Sequence, residues 1–496
     1  MDYFCFIQSL VSYVENRVKA DIDSSEIERV TGFSLPHTRD VFKRCTRMPF
    51  ARYVLYRKVS NAAFEIAYTG RNMLDISLDY GFDSYDTFTR AFKRMTGTTP
   101  REFRKNGFEV GRVKLTGGIF GPGIGKYAKT APGPMPHSEE IINMKSVKKS
   151  DSSCILYGVP KVQYKYEECT PFPAALRACL NYMGQEMSYS YLMAASGASF
   201  RLRWNTECWD GGNVDIMCIY ENPVEAFERA FKAAGRAWNI LGRRPEVTKE
   251  DFKSFIRAEI NEGRPVIALG IIGPPEACIV TGYADDGDTL LGWNFFQENP
   301  EYTKDVWIDE SGYFVCKSWW ENPCTMGLLS IGEERGMVTG LKELLENAVT
   351  ILSKERIGSY AGGQAAFDAW AGSIADESQF PKGAVLPLLF ERLMCQNDAM
   401  TMIGEGRSYA ACFMDWVGER NPGVRDECRK AASCFRKEFA AVKKMADRLG
   451  GWMQSEQQAR KLAEPAARKE IAGLVMKAKQ YDSEACGLIK GIIEKL

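Results

Sequence analysis

Residues Ile76 to Arg104 read ISLDYGFDSYDTFTRAFKRMTGTTPREFR. Ile76 and Leu78 fall on one helical face, Gly81 turns the chain, and Phe82 packs after the turn. Ser84 or Asp83 then caps a second helix with Phe88, Ala91 and Phe92 at its buried positions. Helix, glycine-containing turn and second helix are the parts of a helix-turn-helix. The same parts recur upstream. Ser24-Ser25-Glu26 opens a helix with a serine cap and an acidic first turn. Ile27, Val30 and Phe33 supply its apolar face, and Gly32 breaks it. Ser34 caps the next helix, which carries Thr38, Val41, Phe42 and Cys45. Both second helices end in Phe-Lys-Arg, as Phe42-Lys43-Arg44 and Phe92-Lys93-Arg94, and a longer helical stretch from Phe50 to Tyr68 lies between them.

Charge follows the same boundary. The 496-residue chain is formally neutral, with 64 basic and 64 acidic residues. From Pro36 to Lys105, however, 14 Lys or Arg stand against 7 Asp or Glu, a net +7 that leaves −7 for the remainder. A basic segment on a neutral protein is the electrostatic footprint of phosphate contact. A solvated helix face would also be charged, but it would not repeat two capped turn units with the same ending.

The 76–104 stretch resembles the second helix-turn-helix of the AraC/XylS family of transcription regulators. It carries that pattern through Ile76, Gly81, Phe82, Ser84, Phe88, Arg90, Phe92, Lys93, Gly97, Thr99, Pro100, Phe103 and Arg104. The upstream unit matches through Gly32, Phe33, Ser34, Phe42 and Lys43. The resemblance covers about a fifth of the chain, and here the unit is N-terminal where the family more often places it last. It implies double-stranded DNA as partner, with each second helix in a major groove and the long middle helix setting them about one DNA turn apart. Base-edge candidates are Pro36, Arg39 and Asp40 on the first recognition helix, and Asp86, Thr87 and Arg90 on the second. Lys43, Arg44, Lys93, Arg94 and Thr99 are candidates for phosphate, which positions without specifying.

Residues 108–150 are rich in Gly, Pro, Lys and Ser (GGIFGPGIGKYAKTAPGPMPHS) and read as a linker. Gly121, Gly123, Gly125 and Lys126 only imitate a phosphate-binding loop. Phe120 stands at its first glycine, Tyr127 at its hydroxyl residue, and no apolar strand runs into it.

Residues 151–335 mix helical patterns with strand-like runs, RPVIALGIIG, EACIVTGY and DTLLGWNFF. Tyr166 to Gly184, YEECTPFPAALRACLNYMG, places Cys169 at a helix start, where a thiol pKa is lowered. This stretch resembles the nucleophile helix of C39-like papain-fold domains and of the related butirosin-type acyl-transfer proteins. PEACIVTG with Tyr283, Asp285, Asp286 and Gly287 resembles their histidine-bearing strand, and Trp293-Asn294 falls near their Asn or Asp. Glu276 stands where those families have the histidine. The chain has two histidines, His37 and His137, so none lies in residues 138–496. A cysteine hydrolase needs an imidazole to form the thiolate and protonate the leaving group, and Glu276 would raise a neighbouring thiol pKa. The expectation is a cleft kept for binding with catalysis lost: no catalytic residues, no cofactor and no metal.

Seven of the ten tryptophans fall here: Trp204, Trp209, Trp238, Trp293, Trp307, Trp319 and Trp320. Many serve a core. As cleft walls, aromatics suit a flat or cationic small molecule. The candidate ligand set is Cys169, Trp204, Glu207, Trp209, Glu276, Trp293 and Asn294, with Glu207 or Glu276 as counter-charge. Residues 336–496 return to amphipathic patterns for about six helices, which pack on the middle domain or mediate a homodimer. YAGGQAAFDAWAGSI in this region resembles the helical part that follows such acyl-transfer-like domains.

Fifteen scattered cysteines, odd in number and without a C-x-x-C pair, fit buried thiols in a reducing cytoplasm. Val266 to Ile272 is too short for a membrane span. Asp2 and the missing basic n-region give no sign of a targeting segment. The reading is a multidomain α+β chain. An all-α double helix-turn-helix domain (1–107) and a linker (108–150) precede a papain-like α+β domain (151–335) and a helical domain (336–496). Its expected role is a cytoplasmic, ligand-responsive, DNA-binding transcription regulator whose sensor is a pseudoenzyme. The rivals are a cysteine-dependent acyltransferase or hydrolase fused to a DNA-binding domain, and a module that binds a protein partner.

Overall fold

The computed structural model describes residues 10, 14, 17–19, 22–31, 33–46, 49–68, 71–96, 99–105, 145–164, 168–209, 216–336, 339–452 and 454–496. Gly32, Gly97, His137 and most of the 108–150 linker with its glycines lie outside the described residues, as does the Arg44 side chain. The chain divides into two units, an N-terminal helical one and a larger one that holds the strands.

The helical unit comprises α1 (Ser24–Thr31), α2 (Leu35–Thr46), α3 (Phe50–Tyr68), α4 (Met73–Asp79), α5 (Tyr85–Thr96) and α6 (Pro100–Lys105). Its first core joins Ile27, Phe42, Phe50 and Tyr53. Around α4–α6, rings pack edge to face in series: Phe82 against Phe88 at 5.0 Å, Phe88 against Phe92 at 5.4 Å, and Phe92 against Phe103 at 5.3 Å. Such edge-on pairs add about 0.5–1.5 kcal/mol each beyond area burial. The α4–α5 turn needs its glycine. Gly81 sits at φ +69°, where a side chain is strained, and its N–H closes on Leu78 O at 2.9 Å.

The larger unit opens on a nine-stranded sheet in which every pairing is antiparallel. Its strands are β1 (Ser146–Lys149), β2 (Cys154–Tyr157), β4 (Arg236–Gly242), β5 (Val266–Leu269), β6 (Ala277–Ala284), β7 (Thr289–Trp293), β8 (Val306–Ile308), β9 (Phe314–Cys316) and β10 (Gly327–Glu334). They run in the order β4-β10-β5-β6-β7-β9-β8, with β2 added beside β6 and β1 beside β2. The strand-like runs noted above become β5, β6 and β7, in register as Ile267 opposite Ile279 and Ile279 opposite Trp293. The sheet begins inside the stretch read as linker, since β1 takes up residues 146–149.

Helices α7 (Pro171–Tyr182) and α10 (Lys249–Asn261) pack on β6; α8 (Tyr189–Ala195) and α9 (Glu225–Ala234) extend this layer. A helical region follows: α11 (Leu341–Ser353), α12 (Gly363–Ala375), α13 (Leu386–Arg420), α14 (Arg425–Leu449), α15 (Glu456–Leu462) and α16 (Pro465–Lys495). That makes six α-helices among the described residues of this region, the number its sequence pattern suggested. The sheet and helical regions share one core, in which Phe200 meets Phe413 and Phe435. A second small sheet ties them: β3 (Arg203–Asn205) pairs β12 (Tyr360–Gly362), which pairs β11 (Arg356–Ile357). Burial pushes the Cys278 thiol up to about 12 and Cys316 to about 11, so both stay protonated. No described helix is long and apolar enough to cross a membrane.

Candidate functional site

Each helix-turn-helix presents one polar face. On α5, Asp86, Thr87, Arg90, Lys93 and Arg94 are exposed, while Phe88, Ala91 and Phe92 are buried. The exposed set repeats at i, i+1, i+4, i+7 and i+8, one stripe of a 3.6-residue helix. Ser84 fixes the start of α5, its Oγ accepting from Thr87 N–H at 3.2 Å. The Arg90 Nε donates to Asp86 O at 3.4 Å, so the guanidinium lies along this stripe. On α2, Pro36, Arg39, Asp40 and Lys43 are exposed at i, i+3, i+4 and i+7, and Thr38 and Phe42 face the core.

Thr99 sits differently. Its N–H and hydroxyl both donate to Glu102, at 2.9 and 2.8 Å, while Glu102 N–H donates back at 3.2 Å. It is the cap of α6, and the groups it would offer a phosphate are engaged. Arg104 closes the opposite end of the domain. Its guanidinium donates to Ile66 O at 3.0 Å and to Arg71 O at 2.7 Å, covering the last turn of α3. An ion network adds to this joint. Glu65 accepts from Tyr80 Oη at 2.8 Å and from Arg71 at 2.7 Å, and Arg71 also pairs Asp79 at 2.8 Å. Despite partial burial, these donors and Lys19 hold the Glu65 carboxyl below its usual range.

In the larger unit, Cys169 precedes α7. Its Sγ donates to Tyr164 O at 3.6 Å. The Tyr164 hydroxyl donates to Glu276, just before β6. One tyrosine therefore bridges the thiol to the carboxylate that stands at the expected histidine position. The Tyr164 ring packs against Phe295 (4.8 Å) and Phe296 (5.5 Å), and Phe296 against Tyr302 (5.5 Å). Beside them, Asn294 spends both ends of its amide inside the protein, donating to Gly270 O at 3.0 Å and accepting from Phe296 N–H at 2.8 Å. Trp293 is buried, with its Nε1 on Val159 O at 2.8 Å.

Trp204 and Trp209 form a separate cluster. Their rings meet at 5.3 Å, and Trp204 stacks on Trp370 of α12 at 6.1 Å. Their indole N–H groups donate to Ser373 and Gln379, each at 2.9 Å, and Arg392 lies over Trp209 at 4.6 Å. Glu207 is exposed on the loop after β3. The expected ligand set thus separates into a Cys169–Tyr164–Glu276 group and a tryptophan cluster that joins β3 to the helical region.

The sequence reading missed Glu405 of α13. Its Oε1 accepts from Cys169 N–H (2.7 Å), Thr170 N–H (3.2 Å) and Tyr189 Oη (2.8 Å), and its Oε2 from Thr170 Oγ1 (2.8 Å). A glutamate between two glycines in the middle of a long helix, Gly404-Glu405-Gly406, was the available signal, because interior helix glycines cost stability unless something approaches closely.

Residues 27–106 match a family model described as a helix-turn-helix domain. The chain is 33% identical over 104 residues to an uncharacterized HTH-type transcriptional regulator, YbfP, of Bacillus subtilis, covering 21% of this chain and 35% of that protein. It is 33% identical over 106 residues to the right origin-binding protein of Escherichia coli, covering 21% and 37%. Against the regulatory protein SoxS of Escherichia coli it is 27% identical over 104 residues, covering 21% of this chain and 97% of that protein. The chain thus spans about a third of the length of the first two relatives and nearly all of the third. Sequence, turn geometry and these likenesses agree: residues 27–106 are an AraC-family helix-turn-helix domain.

Proposed function

We propose that this chain is a DNA-binding transcription regulator of the AraC type whose larger unit senses a small molecule in a cleft that has lost catalysis. The observation that carries the first part is the pair of exposed faces, Pro36-Arg39-Asp40-Lys43 and Asp86-Thr87-Arg90-Lys93-Arg94, the first opposite buried Thr38 and Phe42 and the second opposite buried Phe88, Ala91 and Phe92. Helices so patterned enter major grooves, and the relatives are named as regulators or an origin-binding protein. The second part rests on the Cys169–Tyr164–Glu276 group and the rings around it. A papain-like site needs an imidazole beside its thiol, and here Tyr164 links Cys169 to Glu276. The rings of Tyr164, Phe295, Phe296 and Tyr302 beside a carboxylate suit a flat, cationic effector. The Glu405 carboxylate on the Cys169 N–H, and a glutamate where papain-like sites have their histidine, both work against the acyl-transfer alternative.

The test has two arms on the intact protein. Duplex DNA is titrated by fluorescence anisotropy, where specific binding to a selected operator over random duplex is expected. A thermal-shift screen of aromatic and cationic compounds follows, and hits are re-tested for their effect on operator affinity. No binding to duplex DNA overturns the first part. Hits that leave operator affinity unchanged overturn the second.

A further inference from the structure

The first turn of α7 is short of donors. Pro171 and Pro173 have no N–H, and the cap residue Thr170 makes no side-chain bond to the helix it opens. Besides the Phe172 N–H, the donors at this end are those of Cys169 and Thr170; both reach the Glu405 carboxylate, 236 and 235 residues away, and the Thr170 N–H also donates to Tyr189 Oη at 3.0 Å. Tyr189 Oη and Thr170 Oγ1 complete a four-donor cradle around it.

Two residues further along α13, Arg407 fixes the register of this contact. It donates to Ser199 O at 2.9 Å and to Arg201 O at 3.2 Å, and the buried Arg201 side chain returns to Thr170 Oγ1 at 3.2 Å. Gly406 lets α13 come this close to the turn after α8, since a Cβ there would meet Ser199 O at 3.0 Å. A path of hydrogen bonds thus runs from the helical region through Arg407, residues 199–201 and Thr170 to the backbone of Cys169.

This geometry bears on the thiol in two ways. A helix N-terminus lowers a thiol pKa, and a carboxylate seated on that end opposes the effect. In acyl transfer to a cysteine, backbone N–H groups near the nucleophile stabilise the developing oxyanion. Here the Cys169 N–H is occupied, and a second anion beside Glu405 would be repelled. We propose that Glu405 is an internal latch: the α13 carboxylate takes up the Cys169 and Thr170 N–H groups, ties the helical region to the cleft, and holds Cys169 unreactive. The inference deepens the non-catalytic reading of the cleft and rests on it.

The experiment is peptide-resolved alkylation of the intact protein by iodoacetamide across a pH series, read by mass spectrometry for the wild type, Glu405→Gln and Glu405→Ala. The buried Cys179 and Cys278 report on unfolding. The wild-type Cys169 should alkylate slowly. Glu405→Gln should raise its rate at neutral pH by about tenfold, the effect of lowering the thiol pKa by about one unit, while Cys179 and Cys278 stay protected. In Glu405→Ala, added acetate should refill the cradle and slow Cys169 again, with chloride at equal ionic strength having no such effect. A Cys169 rate that does not move, that rises only together with Cys179 and Cys278, or that acetate leaves unchanged in Glu405→Ala, overturns the latch. Turnover of a thioester by the wild-type protein would overturn the latch and the non-catalytic reading together, whereas unchanged alkylation overturns the latch alone.

Discussion

Glu438 of α14 and Asp482 of α16 share one guanidinium, Arg407, at 3.3 and 2.8 Å, and all three side chains are fully buried. Two carboxylates cannot both ionise cheaply around one cation in such surroundings. Burial and the Asp482 charge push Glu438 well above the usual carboxylate range, so it holds the proton. A folded-state pKa above the unfolded one means the folded protein binds the extra proton. Its stabilising effect is complete below the ordinary Glu range and lost as pH rises through the folded value. Glu438→Gln removes that proton's role while keeping the shape. Its Tm should therefore exceed the wild type's at pH 8 and converge with it near pH 4, as a melting series across pH would record. Arg90 and Lys93 lie on one exposed stripe of α5, and the proposed DNA contact gives them different tasks. Arg90→Ala should cost about 1–3 kcal/mol at one operator position and relax specificity there, whereas Lys93→Ala should weaken binding to all sequences and flatten the salt slope. Equal loss on operator and random duplex for Arg90→Ala would refute its base-reading role.

Among elements, the α4–α5 turn is the most sensitive to a single atom. Gly81→Ala puts a side chain at φ +69° with its Cβ 3.0 Å from Lys58 Nζ. The left-handed backbone alone costs about 1–2 kcal/mol, so operator binding and the melting of the N-terminal unit should both suffer, measurable by anisotropy and circular dichroism. Elements with a strong local pattern were legible beforehand. The α4–α5 pair could be read from Gly81, Ser84 and the phenylalanine spacing, and β5, β6 and β7 from their apolar runs. Two contacts were not. Glu405 reaches Cys169 across 236 residues, and Arg104 caps α3 from 38 residues away. Nothing in a local window pairs such residues, because the fold alone brings them together. Trp204 and Trp209 were read toward the cleft because composition counts aromatics without saying which face they take. The structure spends them on joining β3 to α12 through Trp370.

Over the whole molecule, the unequal distribution of charge sets an expectation for control. Pro36 to Lys105 carries +7 and the remainder −7. Effector binding changes DNA affinity only through a difference in its affinity for two states of the protein. If those states differ in charge contacts, their difference is screened within about 8 Å at physiological salt. Operator affinity of the intact protein should then respond to effector strongly at low salt and weakly at high salt. Residues 1–107 alone should not respond to effector at all. That segment is a fair comparison, because a relative of nearly the same extent exists by itself. A response by the isolated segment would move the effector site out of the larger unit.

The pairing of β3 with β12 has a consequence for how this protein can be cut and inherited. Ala361 lies opposite Trp204, and Gly362 opposite Arg203, so a strand from the helical region completes a sheet begun more than 150 residues earlier. Phe413 and Phe435 fill the same core as Phe200. A break in the chain near residue 337 would therefore not release two domains. It would leave two complementary fragments, each with an unfilled core and an unpaired strand edge, and the two should reassociate when produced together and aggregate when produced apart. Recombination would meet the same limit: the sheet region and the helical region, which share one core, must travel as one heritable piece.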